Sequence, residues 1–176
     1  MNKKIGFLSV VLLFLGSLGA HAEAPDRTQL AVWANEAIVA TYTFDYKNYL
    51  QQQKEIAKYF TADGWMAYSK ALNDSKLPEA VQKNAYEVTA VATQPPVITT
   101  LDPTHWQATM TILVVYKNPQ YQQQQNLRVV LSFSPATSGQ GVRGFAATSL
   151  QSKVINPPCV CQPEAATATT QEGGKQ

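Results

Sequence analysis

The chain has 176 residues, 45% of them hydrophobic, which suits one domain with its own core and a short appendage at each end. Lys and Arg number 14 against 12 Asp and Glu, and two of the basic residues, Lys3 and Lys4, stand within the first four positions. Beyond them the charge balances, so a basic footprint for nucleic acid and a polybasic membrane patch are both excluded.

Residues 1–22 read as a secretory signal peptide. Met1-Asn2-Lys3-Lys4 is a basic n-region, 5–18 an apolar stretch interrupted by Gly6 and Gly16, and Ala20-His21-Ala22 an A-x-A cleavage site. The apolar run is shorter than the ~20 residues of a spanning helix. Cleavage after Ala22 is therefore expected rather than retention as an anchor, and no lipobox-type Cys follows. The expected product is a folded domain over 23–156 with a tail over 157–176.

A first helix is predicted over 29–40. Leu30, Trp33, Ala34, Ala37 and Ile38 share one face at i, i+3, i+4, i+7 and i+8, with Asp26 or Thr28 as cap. Thr43-Phe44-Asp45-Tyr46 is less helical and bends the chain. A second helix is predicted over 49–60, carrying the stripe Ile56, Tyr59 and Phe60. A third follows over 62–73, carrying Trp65, Tyr68 and Leu72, with Thr61 as its N-cap and Asp63 at its positive end. Leu77-Pro78 opens a short helical turn to Gln82.

The period then changes from helix to strand. Residues 86–93 alternate, with Tyr86, Val88, Ala90 and Ala92 on one face, and Pro95-Pro96 ends the run. A short strand is predicted over 97–101, before the turn Asp102-Pro103-Thr104. The longest strand, 106–116, sets Trp106, Ala108, Met110, Ile112, Val114 and Tyr116 on one face. The Gln-rich stretch 120–125 reads as a loop, and the Gln run at 51–53 as a solvated helix face. Strands are predicted over 126–134, with Leu127, Val129, Leu131 and Phe133 aligned, and over 142–152 after the loop 135–141. Helices first and successive strands afterwards argue for an α+β fold with the helices on one curved face of an antiparallel sheet. From Pro157 onward Pro, Ala, Thr, Gln and Gly dominate, without periodic apolar residues, so the tail is expected to stay disordered.

No arrangement of a catalytic site is visible. His105, the one histidine after the leader, reads as a turn residue. Asp45, Asp63 and Asp74 each sit in or beside a turn or cap, where Asp is expected. There is no nucleophile elbow, phosphate loop, zinc-binding helix motif or dinucleotide fingerprint. Cys159 and Cys161 are the only cysteines. Two thiols and a distant His fall short of a metal site. In an exported protein the pair could close on itself or bridge to another chain, and a ring across one residue is strained.

Several of these segments together resemble one family. Val32-Trp33-Ala34-Asn35, Tyr42-Thr43-Phe44-Asp45-Tyr46, Asn48-Tyr49, Tyr59-Phe60-Thr61, Gly64-Trp65 and Ala71-Leu72 resemble the DotI/IcmL family of type IVB secretion systems, and the resemblance runs over 29–152. It implies a periplasmic domain of the VirB-type, nuclear-transport-factor-like fold, in an assembly part that is not an enzyme and takes no cofactor. Members that build the inner-membrane complex carry a cytoplasmic segment and a membrane helix before that domain. Here a cleavable leader stands in their place, so a soluble periplasmic paralogue is expected, with indirect membrane association.

Three functions follow as expectations. The first is protein association within the secretion envelope, with itself or a full-length family member, through the bend residues Phe44, Tyr46 and Tyr49. The second is small-ligand binding in a pocket lined by Trp65, Tyr68, Trp106 and Tyr116, against the plainer reading of these rings as filled core. The third and weakest is thiol redox chemistry through Cys159 and Cys161.

Overall fold

A computed structural model describes residues 25–155. The chain begins with α1 (Arg27–Thr41), β1 (Phe44–Asp45), α2 (Tyr49–Ala57), α3 (Ala62–Asp74) and α4 (Leu77–Asn84). It continues with β2 (Glu87–Ala92), β3 (Val97–Asp102), β4 (His105–Lys117), β5 (Gln122–Pro135) and β6 (Phe145–Val154). The strands form one antiparallel sheet in the order β1-β2-β4-β5-β6, with β3 also on β4. β2 pairs with the second half of β4 and β3 with the first half, so both lie along the same edge of β4. Pro95-Pro96 separates them, because Pro has no N–H to give to a ladder.

The core lies between α1 and the inner face of the curled sheet. Leu30, Trp33, Ala34, Ala37 and Ile38 are all buried, as the helical spacing predicts. They meet Trp106, Ala108, Met110, Ile112 and Val114 of β4 and Leu127, Val129, Leu131 and Phe133 of β5, which are buried in strict alternation. Trp33 is central: its ring centroid lies 4.8 Å from Phe133 and 5.7 Å from Phe145, and its Nε1–H donates to Val142 O at 2.8 Å. That bond satisfies the one polar group of an otherwise apolar ring.

Thr61 caps α3 as expected: Gly64 N–H donates to Thr61 Oγ1 at 3.1 Å. Asp26 stands at the N-cap position of α1 without a side-chain cap bond. Helix α2 stops at Ala57, three residues before the expected end. Tyr59, Phe60 and Thr61 are drawn into the sheet instead, with Phe60 bridged in parallel to Ala147. The Gln-rich stretch is also corrected: residues 122–125 belong to β5 and pair with residues 114–117 of β4. There the β5 side of the hairpin runs past the core, so residues 122–124 are exposed on both faces and no alternation marks them. The last strand begins at Phe145 rather than 142, after Arg143 and Gly144 turn the chain with positive φ.

Candidate functional site

The bend 43–49 is built by a carboxylate. Asp45 Oδ1 accepts from Lys47 N–H at 2.7 Å and Asn48 N–H at 2.8 Å, closing a tight turn into α2. Gln52 Nε2–H donates to Asp45 Oδ2 at 2.8 Å, and Asp45 N–H donates to Gln52 Oε1 at 2.8 Å. The Asn48 amide, aided by Gln52 and Lys47, holds the Asp45 carboxyl below the usual carboxylate range. Gln52 is therefore a structural partner, which corrects the reading of 51–53 as a merely solvated face. Asp45 takes the turn role expected of it.

The aromatics of the bend divide. Phe44 is buried at 2% exposure, because β1 pairs it with Val88, and its ring meets Tyr49 edge-on at 5.7 Å. It faces the core, so the aromatics of the bend that reach solvent are Tyr46 and Tyr49, both half-buried. Lys47 Nζ lies 5.5 Å over the Tyr46 ring. Beside them Leu50 is 77% exposed, more than any other large apolar side chain described. The sequence reading passed over it. Its signal was a lone leucine off the Ile56 stripe in a helix otherwise rich in Gln and Lys.

A second feature lies between the helices and the rim of the sheet. A cavity of about 580 Å³ is lined by Tyr42, Phe44, Tyr68, Leu72, Tyr116, Leu127 and Leu150, with Gln125, Ser152 and Val154 nearby. Tyr68 O–H donates to Thr41 O at 3.3 Å. Burial pushes the Tyr42 phenol up to about 12, the Ser152 hydroxyl opposing and Tyr116 adding to the effect. Burial likewise raises Tyr68 far above its ordinary value, with Tyr42, Tyr49 and Tyr116 adding, and it raises Tyr116. All three phenols are neutral near pH 7. The lining is therefore uncharged, suited to apolar matter with a few hydrogen-bonding groups and unsuited to proton transfer at that pH.

The four aromatics expected to share a pocket do not. Trp106 is filled core, 5.8 Å from both Phe133 and Phe145. Tyr68 and Tyr116 line the cavity just described. Trp65, half-buried against Phe60 at 5.9 Å, faces a separate recess bounded by Lys58 and residues 139–142. His105 is the exposed first residue of β4, next to the turn, where its Nδ1 lies 2.9 Å from both carboxylate oxygens of Asp102. Among the described residues no group of three or more His, Cys, Asp and Glu could hold a metal, and no helix is long and apolar enough to cross a membrane. Cys159, Cys161 and the leader lie outside the described residues.

Helices laid on a curled antiparallel sheet define a nuclear-transport-factor-like α+β domain of the VirB type. The family is narrower: a model described as type-IV b secretion system, inner-membrane complex component, matches residues 21–152, and the chain belongs to that DotI/IcmL family. An IcmL-like type IV secretion system protein from Legionella pneumophila subsp. pneumophila str. Philadelphia 1 is 78% identical. The match covers 78% of this chain and 99% of that one, with a TM-score of 0.75. The periplasmic domain of DotI is 28% identical over 75% of this chain and 98% of its own, with a TM-score of 0.69. VirB8 from Agrobacterium tumefaciens, at 10% identity over 76% and 96% of the two chains and a TM-score of 0.51, shares the fold alone. No curated protein matches the chain.

Proposed function

We propose that this chain is a non-catalytic periplasmic part of a type IVB secretion apparatus, acting by association through its folded domain. The observation that carries the reading is the likeness of that domain to the periplasmic domain of DotI, within one family. The leader is cleaved after Ala22 and the domain is released into the periplasm, held near the membrane through its partners. Those partners are other envelope proteins of the apparatus, a full-length family member or a second copy of this chain. Recognition rests on shape and apolar contact, since the exported chain is formally neutral. The contact surface is the bend, with Tyr46, Tyr49 and Leu50 as its anchors.

The test is an affinity pull-down from cross-linked envelopes with partners identified by mass spectrometry. The wild-type domain should recover secretion-system envelope proteins. Replacing Tyr46, Tyr49 and Leu50 with Ser, with melting confirmed as cooperative, should abolish recovery. Recovery equal to wild type would remove the bend from the interface. The uncharged cavity favours one second reading, a small apolar ligand. Thermal stabilisation of the domain by such a molecule, with no envelope protein recovered, would replace the first reading by the second.

A further inference from the structure

The outer edge of strand β6 has two halves. At Ala147 it is covered: Thr61 N–H donates to Ala147 O at 2.9 Å and Ala147 N–H to Tyr59 O at 2.8 Å, so a short piece of this chain already pairs there. Beyond it no strand among the described residues pairs with the edge, and residues 151–154 are exposed. The ladder on the other side sets which groups point outward. Ile155 N–H donates to Asn126 O at 2.9 Å, towards β5, and hydrogen-bonding direction alternates along an antiparallel strand. Gln151 and Lys153 therefore turn their N–H and C=O to β5, while Leu150, Ser152 and Val154 turn theirs to the open edge.

Two further features define what fits this edge. Helix α3 touches β6 at Gly64, against the Ala147 and Thr148 carbonyls, but farther on the 580 Å³ cavity parts the two elements. Leu150, Ser152 and Val154 line it from the sheet and Tyr68, Leu72 and Leu77 from the helices, and none of its lining residues is charged. A strand laid along the edge sends every second side chain into this space. A charge there would lose its hydration without a partner, so those side chains are apolar. On the opposite face of the sheet Lys153 stands directly across from Arg128 of β5. Both are exposed, and neither forms an ion pair among the described residues. Like charges opposed across a ladder repel, and a carboxylate beside them relieves the repulsion. A lysine alone on an edge serves to keep other strands away, but that role does not call for a second cation one strand inward. The same pair disfavours a second copy of this chain, which would bring its own Lys153 and Arg128 to the edge.

We propose that β6 over 150–154 is an acceptor strand for an extended segment of a partner protein, in which apolar residues alternate around a carboxylate. The segment's backbone bonds to Leu150, Ser152 and Val154, its apolar side chains enter the cavity, and its carboxylate lies over Lys153 and Arg128. Main-chain bonds then supply affinity, while the cavity and the two cations select the sequence. This surface is separate from the bend at 43–49 and does not depend on it.

The experiment titrates the full chain, in reducing buffer, with a blocked peptide that alternates valine with threonine and carries one central glutamate. At millimolar peptide, amide hydrogen exchange at Ser152 and Val154 should slow about tenfold, while the amides of Tyr46, Tyr49 and Leu50 are unchanged. Lysine in place of the peptide's glutamate should weaken binding about tenfold, and Arg128→Glu with Lys153→Glu should reverse the preference. No slowing at the two amides, equal binding of the two peptides, or a preference that survives the charge reversal overturns the proposal. Protection that needs no peptide and grows with protein concentration also overturns it, by assigning the edge to a second copy. Binding seen only after truncation at Asn156 overturns it too, by assigning the edge to the chain's own C-terminal segment. An envelope pull-down that fails while the peptide still binds would remove the bend reading and leave this one standing.

Discussion

Gly64 shows how little room the domain leaves where α3 meets β6. A Cβ there would stand 2.5 Å from Ala147 O and 3.0 Å from Thr148 O, both backbone atoms that cannot rotate away. Gly64→Ala must therefore push α3 off the strand, and it should destabilise by about 1–3 kcal/mol, read as a lower urea midpoint with unchanged slope. Tyr42 gives a prediction in pH. Its phenol is raised in the folded chain from 10.0 to about 12, mainly by burial. Above pH 10 the unfolded chain loses this proton while the folded chain keeps it, so stability is full below pH 10 and falls as pH climbs toward 12. Urea midpoints measured across that window should decline, and Tyr42→Phe should make the decline shallower. An identical slope in the variant would mean that Tyr42 is not among the groups responsible.

Helix α4 ends on Ala85 at φ 51, a left-handed position that glycine usually fills. Ala85→Gly relieves the Cβ clash at some cost in unfolded-state entropy, and it should raise stability by about 0.5–1 kcal/mol, seen as a higher melting temperature. Elements with a buried face were legible in the sequence. The stripe of α1 and the alternation of β4 and β5 are written in the residues because burial acts on every turn or every second residue. Ends set by distant partners were not legible. Nothing near Lys58 says that α2 must stop, since its last turn is exchanged for hydrogen bonds to Ala147, far along the chain. Residues 122–125 were missed for the opposite reason: their pairing with β4 is purely backbone, and glutamine side chains in water record nothing of it. Of the candidate site, the aromatics of the bend were visible. Which of them faces inward depended on β1 pairing with β2, and Leu50 gained meaning only once the faces of α2 were placed.

At the scale of the whole molecule, the export proposal predicts that protein from the envelope fraction begins at Glu23 by N-terminal sequencing. A Met1 start found only in detergent extracts would mean that the leader is kept as an anchor. The hydrogen bond from Trp33 to Val142 spans 109 positions of sequence. It joins the first helix to the loop before the last strand, and the core of α1 is completed only by strands that follow it. A chain made or threaded from its N-terminus thus presents its most apolar helix first and the surface that shelters it last. Until β4 and β5 have emerged, Leu30, Trp33 and Ile38 lack most of the surface they bury against, so the order of arrival leaves a sticky intermediate. A holding factor that grips α1 during this interval, and releases it once the final hairpin forms, would raise yield without altering the finished protein.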